Sequence, residues 1–187
     1  MRSTLRNPWL FRLGMAVLVG ILLPGRVEAL TLNELLSDQK INPKKFAGHF
    51  ENFTFEFIDY VQPPEVFLRE RNGDCDDYAI LAEFVLKQRD FTPRLIHVRM
   101  VGRVAHAVCY VMESKAYLDY NNRRYSFPLE RSGASIRDIA TKVARSFESN
   151  WTSATEFTYD YKTETKFAVF TVVKTQPPGK DPDRGRY

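Results

Sequence analysis

Gly73-Asp74-Cys75-Asp76-Asp77-Tyr78-Ala79 joins a turn residue, a helix cap and the first apolar position of a helix. The Asp74 side chain can cap, and Asp76 and Asp77 load the first turn with the negative charge that a helix dipole favours. Tyr78, Leu81, Ala82, Val85 and Leu86 then recur at i, i+3, i+4, i+7 and i+8, one apolar face. Cys75 lies three residues before Tyr78 and seven before Ala82, at the N-terminal end of that stripe. Its thiol is therefore expected to face the core where helix N–H groups are unpaired.

Downstream, the period changes from helical to alternating. Ile96, Val98 and Met100 point one way and His97 and Arg99 the other; Gly102-Arg103 makes a turn; Val104 to Met112 is almost continuously apolar. Because side chains alternate along a strand, His106 shares a face with Val104, Val108 and Tyr110, and Cys109 takes the opposite one. Residues 115–120 and 123–127 are predicted to form a further hairpin through Asn121-Asn122, with Tyr117 and Asp119 on one face. Ser135 caps a second amphipathic helix carrying Ile136, Ile139, Ala140, Val143, Ala144 and Phe147. Two more strands are expected at 156–162 and 166–174. Upstream, residues 32–50 read as two short helices split by Asn42-Pro43, the alternation of Phe53, Phe55 and Phe57 predicts extended chain, and Pro64 opens a helical turn through Arg69. The fold class is α+β, helices with an antiparallel sheet.

Composition bounds the function. The 187 residues are 44% hydrophobic and 27% charged, globular proportions for one domain without repeats. Four of the 27 basic residues and one of the 23 acidic ones lie in residues 1–29, which leaves 23 against 22, a net +1 for the body of the chain. No basic run remains there to bind a phosphate backbone, so nucleic acid is not an expected partner. Arg2, Arg6 and Arg12 precede the apolar stretch Leu13–Leu23 and the small-residue pattern Val27-Glu28-Ala29, the layout of a secretory signal peptide. That stretch is short for a membrane span, which takes roughly 20 apolar residues. The expected organisation is a signal peptide over 1–29, a domain over 30–175 and a flexible tail over 176–187. The mature protein would be secreted or periplasmic, with no membrane association once the leader is removed. In an oxidising compartment Cys75 and Cys109 are also candidates for a disulfide.

A cysteine at a helix N-terminus, a histidine 31 residues later and an aspartate 13 residues after that are what acyl transfer through a thiol requires. The thiolate is the nucleophile, helix N–H groups and an imidazolium stabilise it, and a carboxylate fixes the imidazole's tautomer. Asp74, Asp76 and Asp77 oppose this, since like charges disfavour a thiolate. The chemistry then needs those carboxylates to point away from the sulfur.

Pro64-Glu65, Gly73-Asp74-Cys75-Asp76-Asp77-Tyr78-Ala79, Thr92-Pro93-Arg94, Ala105-His106-Ala107-Val108 and Tyr117-Leu118-Asp119, in that order between Pro63 and Asn121, resemble the transglutaminase-like superfamily of papain-type folds. The Gly-Asp-Cys-Asp-Asp-Tyr-Ala run is most similar to its bacterial exported branch, the transglutaminase-like cysteine proteinases. The resemblance implies a helix bearing Cys75 packed on an antiparallel sheet bearing His106 and Asp119. It also implies the roles: Cys75 as nucleophile, His106 as general base, Asp119 as orienting acid. The implied activity is cysteine-dependent amide hydrolysis or acyl transfer on a protein or peptide, with hydrolysis favoured by the branch. The Cys75 backbone N–H is the expected oxyanion donor, and no upstream aromatic or amide is identified as a second.

Competing readings stand beside these. Asn121 is the alternative orienting group, since an asparagine also holds an imidazole. His97 and His49 carry no role. Cys109 reads as a buried apolar residue. The three aspartates read as helix caps. No cofactor is required; calcium on Asp74 and Asp76 is the alternative, against which stands the six or so oxygens that ion takes. Phe53, Phe55, Phe57, Tyr60 and Trp151 are candidates for a substrate groove or for core. Asn52-Phe53-Thr54 and Asn150-Trp151-Thr152 fit the glycosylation sequon. The rival function is a non-catalytic module that holds an extended peptide on the same scaffold.

Overall fold

The computed structural model describes residues 30–174; the expected signal peptide and tail lie outside these. Two short helices open the chain, α1 (Leu32–Ser37) and α2 (Pro43–Gly48), with Thr31 and Asn42 as their caps. Strand β1 (Thr54–Phe55), helix α3 (Pro64–Glu70) and strand β2 (Asn72–Gly73) lead into α4 (Cys75–Lys87). Then come β3 (Pro93–Met100), β4 (Arg103–Val111), β5 (Ala116–Leu118), β6 (Leu129–Arg131), α5 (Ile136–Ser146), β7 (Trp151–Asp160) and β8 (Thr165–Val173).

Six strands form one antiparallel sheet in the order β6-β5-β4-β3-β7-β8, and β1 pairs in parallel with β2 apart from it. Alternation along the strands gives the sheet two apolar faces. Leu95, Ala107, Cys109, Val111 and Leu118 pack with α4 and the N-terminal helices. Ile96, Val98, Val108, Tyr110 and Tyr117 pack with α5. Under α4, the rings of Phe46, Phe50, Phe53, Phe67, Tyr78 and Tyr120 meet in a chain of tilted and edge-on contacts with centroids about 5 Å apart.

Two expectations are corrected and a third is narrowed. The hairpin through Asn121-Asn122 does not form: Asp119 accepts the Asn121 N–H at 2.9 Å and starts a single 3-10 turn, Tyr120–Asn122. Buried Arg123 then donates to the carbonyls of Tyr120 and Phe53, so the chain rejoins the sheet only at Leu129. Side-chain capping and a buried cation outcompete the turn propensity of the asparagines. The extended chain expected at Phe53, Phe55 and Phe57 forms as the short strand Thr54–Phe55, with Phe53 buried and Phe55 and Phe57 exposed. The strand expected at 156 begins at Trp151, where pairing with Met100 overrides the polar start.

Candidate active site

The end of β5 makes room for the site. β5 pairs with β4 only from Cys109 to Val111, so the first half of β4 has no strand on that side. The N-terminus of α4 docks against this gap. There the unpaired N–H of Ala107 donates to Cys75 Sγ at 3.4 Å. Cys75 is half-buried and packs against the core on one side, while its other side lines a cleft, so the expectation of a wholly core-facing thiol is corrected.

His106 and Asp119 come from the α5 face of the sheet. Their rings of contact are closed: both are buried, and His106 Nε2 donates to Asp119 Oδ1 at 2.9 Å. That leaves Nδ1 free of Asp119, and Cys75 lies near enough to the imidazole to help raise its pKa. Burial by itself would lower the His106 pKa, but the Asp119 charge and the hydrogen bonds with Asp119 and Cys75 outweigh it and raise the pKa to about 10. Phe147, at the end of α5, closes the outer side of the imidazole edge-on at 4.8 Å between centroids. Asn121 lines the cleft, but the carboxylate on the imidazole is that of Asp119.

The aspartates are not turned away as the chemistry was expected to need. The ligand atoms of Asp74, Cys75 and Asp76 all lie within 4.8 Å of one another. Each charge is instead answered locally. Asp74 caps α4, accepting the N–H groups of Asp76 at 2.9 Å and Asp77 at 3.5 Å. Its pKa is pushed up to about 6, first by burial and then by the charges of Asp77 and Asp76. Asp76 pairs with Lys166 Nζ at 2.8 Å. Asp77 faces inward, where it accepts from the Gln62 backbone at 2.7 Å, the Gln62 side chain at 3.0 Å and the Asp74 backbone at 3.0 Å. Gly73 is required there, because a Cβ would lie 2.5 Å from Asp77 Oδ2 and 2.8 Å from both Gln62 Nε2 and Phe67 Cδ2. Since Asp74 takes the N–H groups of Asp76 and Asp77, the first N–H of the helix, that of Cys75, has no acceptor among the described residues. A free helix N–H beside a thiol is an oxyanion donor in waiting.

Asp74 and Asp76 could supply part of a calcium shell, since Asp76 Oδ1 is buried without a hydrogen-bond partner, and the remaining oxygens would have to come from elsewhere. A hard cation takes six to eight oxygens. The cluster offers two carboxylates and a sulfur, with one carboxylate capping a helix and the other held by Lys166.

Both cysteines are free, so the candidate disulfide falls. The cleft has a volume of about 530 Å³ and is lined by Cys75, His106, Asp74 and Asp76 together with the apolar Phe55, Phe57, Val104 and Phe147. Phe53 and Trp151 are core and Tyr60 lies outside the cleft, so of the proposed groove aromatics two remain. The sequence reading missed five residues. His97 lines the cleft, half-buried against Phe157, and burial lowers its pKa. Arg103, Lys166, Gln62 and Phe147 complete the set. Phe147, the last apolar position of α5, and His97, on the polar face of its strand, carried a periodic signal; the others sit at sites no local pattern marks.

A thiol at a helix start, set against an imidazole and a carboxylate from neighbouring strands, defines the papain-type arrangement of a transglutaminase-like fold. The chain belongs to the transglutaminase-like domain family, which matches residues 32–130. No curated protein sequence matches it. Two solved structures of LapG from Legionella pneumophila, one calcium-bound and one EGTA-treated, are similar to it, each at 18% identity over 73% of this chain. They are covered over 75% and 76% of their own lengths, with TM-scores of 0.46 and 0.44.

Proposed function

We propose that this protein is a cysteine-dependent amide hydrolase or acyl transferase, a cysteine protease in the first instance, acting on a protein or peptide outside the cytoplasm. The observation that carries the reading is the buried His106, held by Asp119 at 2.9 Å on one nitrogen, in the same cleft as Cys75, whose charge helps raise the imidazole's pKa. With the proton of Cys75 already resting on His106, the thiolate attacks the substrate carbonyl. The Cys75 N–H receives the oxyanion. The carbon–nitrogen bond breaks as His106 returns the proton to the leaving amine, and a thioester remains on Cys75. Water, activated by the same imidazole, releases the acid and regenerates the thiol; an amine in its place would give transamidation. Asp119 acts on His106 alone, fixing its orientation and favouring the imidazolium.

No step is assigned to a cofactor. Export rests on the leader pattern in residues 1–29, and sequencing the N-terminus of the protein recovered outside the cytoplasm checks it.

The decisive experiment is alkylation of the leaderless protein by iodoacetamide near neutral pH, with peptide mapping, in wild type and His106→Ala. Fast, histidine-dependent labelling of Cys75 supports the thiol enzyme. Equal slow rates in both would overturn it in favour of a peptide-holding module.

A further inference from the structure

The walls of the cleft carry information about the substrate beyond the reaction class. Phe55 and Phe57 are 61% and 65% exposed, and Val104, which lines the same cleft, is 73% exposed. Aromatic rings this bare, clustered at the mouth of a cleft, mark a surface that something apolar covers. The backbone holds them in place beside the sulfur. Thr54 and Glu56 donate to the carbonyls of Arg71 and Gly73 at 2.9 Å, and the Ile58 N–H reaches Asp74 Oδ2 at 3.5 Å. The segment 54–58 therefore runs alongside the residues that end in Cys75, with Phe55 and Phe57 overhanging the cleft.

The chemistry assigns the two walls. His106 must reach the leaving nitrogen, so the amine half of the substrate lies on the β4 side, against Val104 and Phe147. The acyl half then extends the other way from Cys75, against Phe55 and Phe57. We propose that Phe55 and Phe57 determine specificity by taking a bulky apolar or aromatic side chain from the residue that supplies the scissile carbonyl. This rests on the thiol-enzyme reading and adds the substrate class to it. Apolar pockets discriminate between side chains by roughly 10- to 200-fold per methylene-scale difference, so the preference is large enough to measure.

The test uses acetyl-dipeptide chloromethyl ketones whose residue next to the reactive carbon is Phe, Leu, Ala, Asp or Lys, each timed for labelling of Cys75. Phe and Leu probes are expected to react about tenfold or more faster than Ala and Asp probes. Phe57→Leu should keep the apolar preference. Phe57→Arg should lower the ratio of Phe-probe to Asp-probe rates by at least tenfold, and its continued reaction with the Asp probe certifies that it folds. Equal rates across the probes, or a ratio unchanged in Phe57→Arg, would overturn the proposal. Iodoacetamide separates the two levels: if its reaction at Cys75 depends on His106 and the probe rates are flat, the subsite alone is wrong. If its reaction ignores His106, the enzyme reading fails and the subsite with it.

Discussion

Cys75 and Cys109 are the same side chain in two regions of one sheet–helix interface, and only one of them is placed to react. Cys109 lies in the middle of β4, fully buried, and burial, followed by the charge of Glu83, pushes its thiol well above the ordinary range. Cys75 begins α4, two residues of β4 away from it through Ala107, at the gap where β5 has stopped. The difference lies in the backbone. Cys109 is paired on both sides, with Leu95 and Leu118, whereas at Cys75 the strand edge gives the Ala107 N–H to the sulfur and the helix start leaves the Cys75 N–H without an acceptor among the described residues.

That contrast can be broken by experiment. The largest expected effect is at His106: His106→Ala should slow turnover by about 10²–10⁴-fold, the range of a lost general base, and slow alkylation of Cys75 toward the background rate of Cys109, read by peptide mapping of both thiols in one sample. Second, raising the pH through about 10 should abolish activity as His106 loses its proton. The folded pKa lies above the ordinary histidine value, so the pair's contribution to stability is complete below about 6.5 and disappears as pH climbs through about 10, visible in melting temperatures at alkaline pH.

Third, Gly73→Ala forces the Asp77–Gln62 clamp apart and should destabilise the fold by about 1–3 kcal/mol, measured by urea unfolding, while also slowing Cys75 labelling. Fourth, Cys109→Ser buries a hydroxyl without a ready partner. The expected loss is about 1–2 kcal/mol, with Cys75 labelling unchanged at temperatures where the protein is folded. An effect of Cys109→Ser on that labelling would erase the distinction between the two regions. Fifth and smallest, Asp74→Asn keeps the cap and removes a charge whose folded pKa is about 6. A raised acid pKa makes stability decline as pH rises from the ordinary carboxylate value to about 6. The variant should therefore show a flatter dependence of melting temperature on pH between 4 and 6.

Legibility in the sequence followed the reach of each signal. The cap and apolar stripe of α4 are local, and Asp74 and the inward face from Tyr78 to Leu86 were readable from the residues alone. The same holds for the Asn42-Pro43 break, for α5 after Ser135, and for the opposed faces of His106 and Cys109. The Asn121-Asn122 segment misled because its conformation is set by Asp119 and by Arg123, which reaches 70 residues back to Phe53. Gln62 and Lys166 were silent for the same reason: each gains its role from an aspartate of α4 that no local spacing connects to it.

The sequence by itself determined that a thiol would open a helix, that an imidazole and a carboxylate would follow on neighbouring strands, and that the chain would fold as α+β. Periodicity and capping act over a few residues and survive without knowledge of the rest. Tertiary structure alone decided that β5 stops short, that the sulfur enters the gap so formed, that Lys166 and Gln62 answer the aspartates, and that two phenylalanines stand bare beside the nucleophile. Those outcomes depend on which distant surfaces bury one another, and packing of that kind has no period to read.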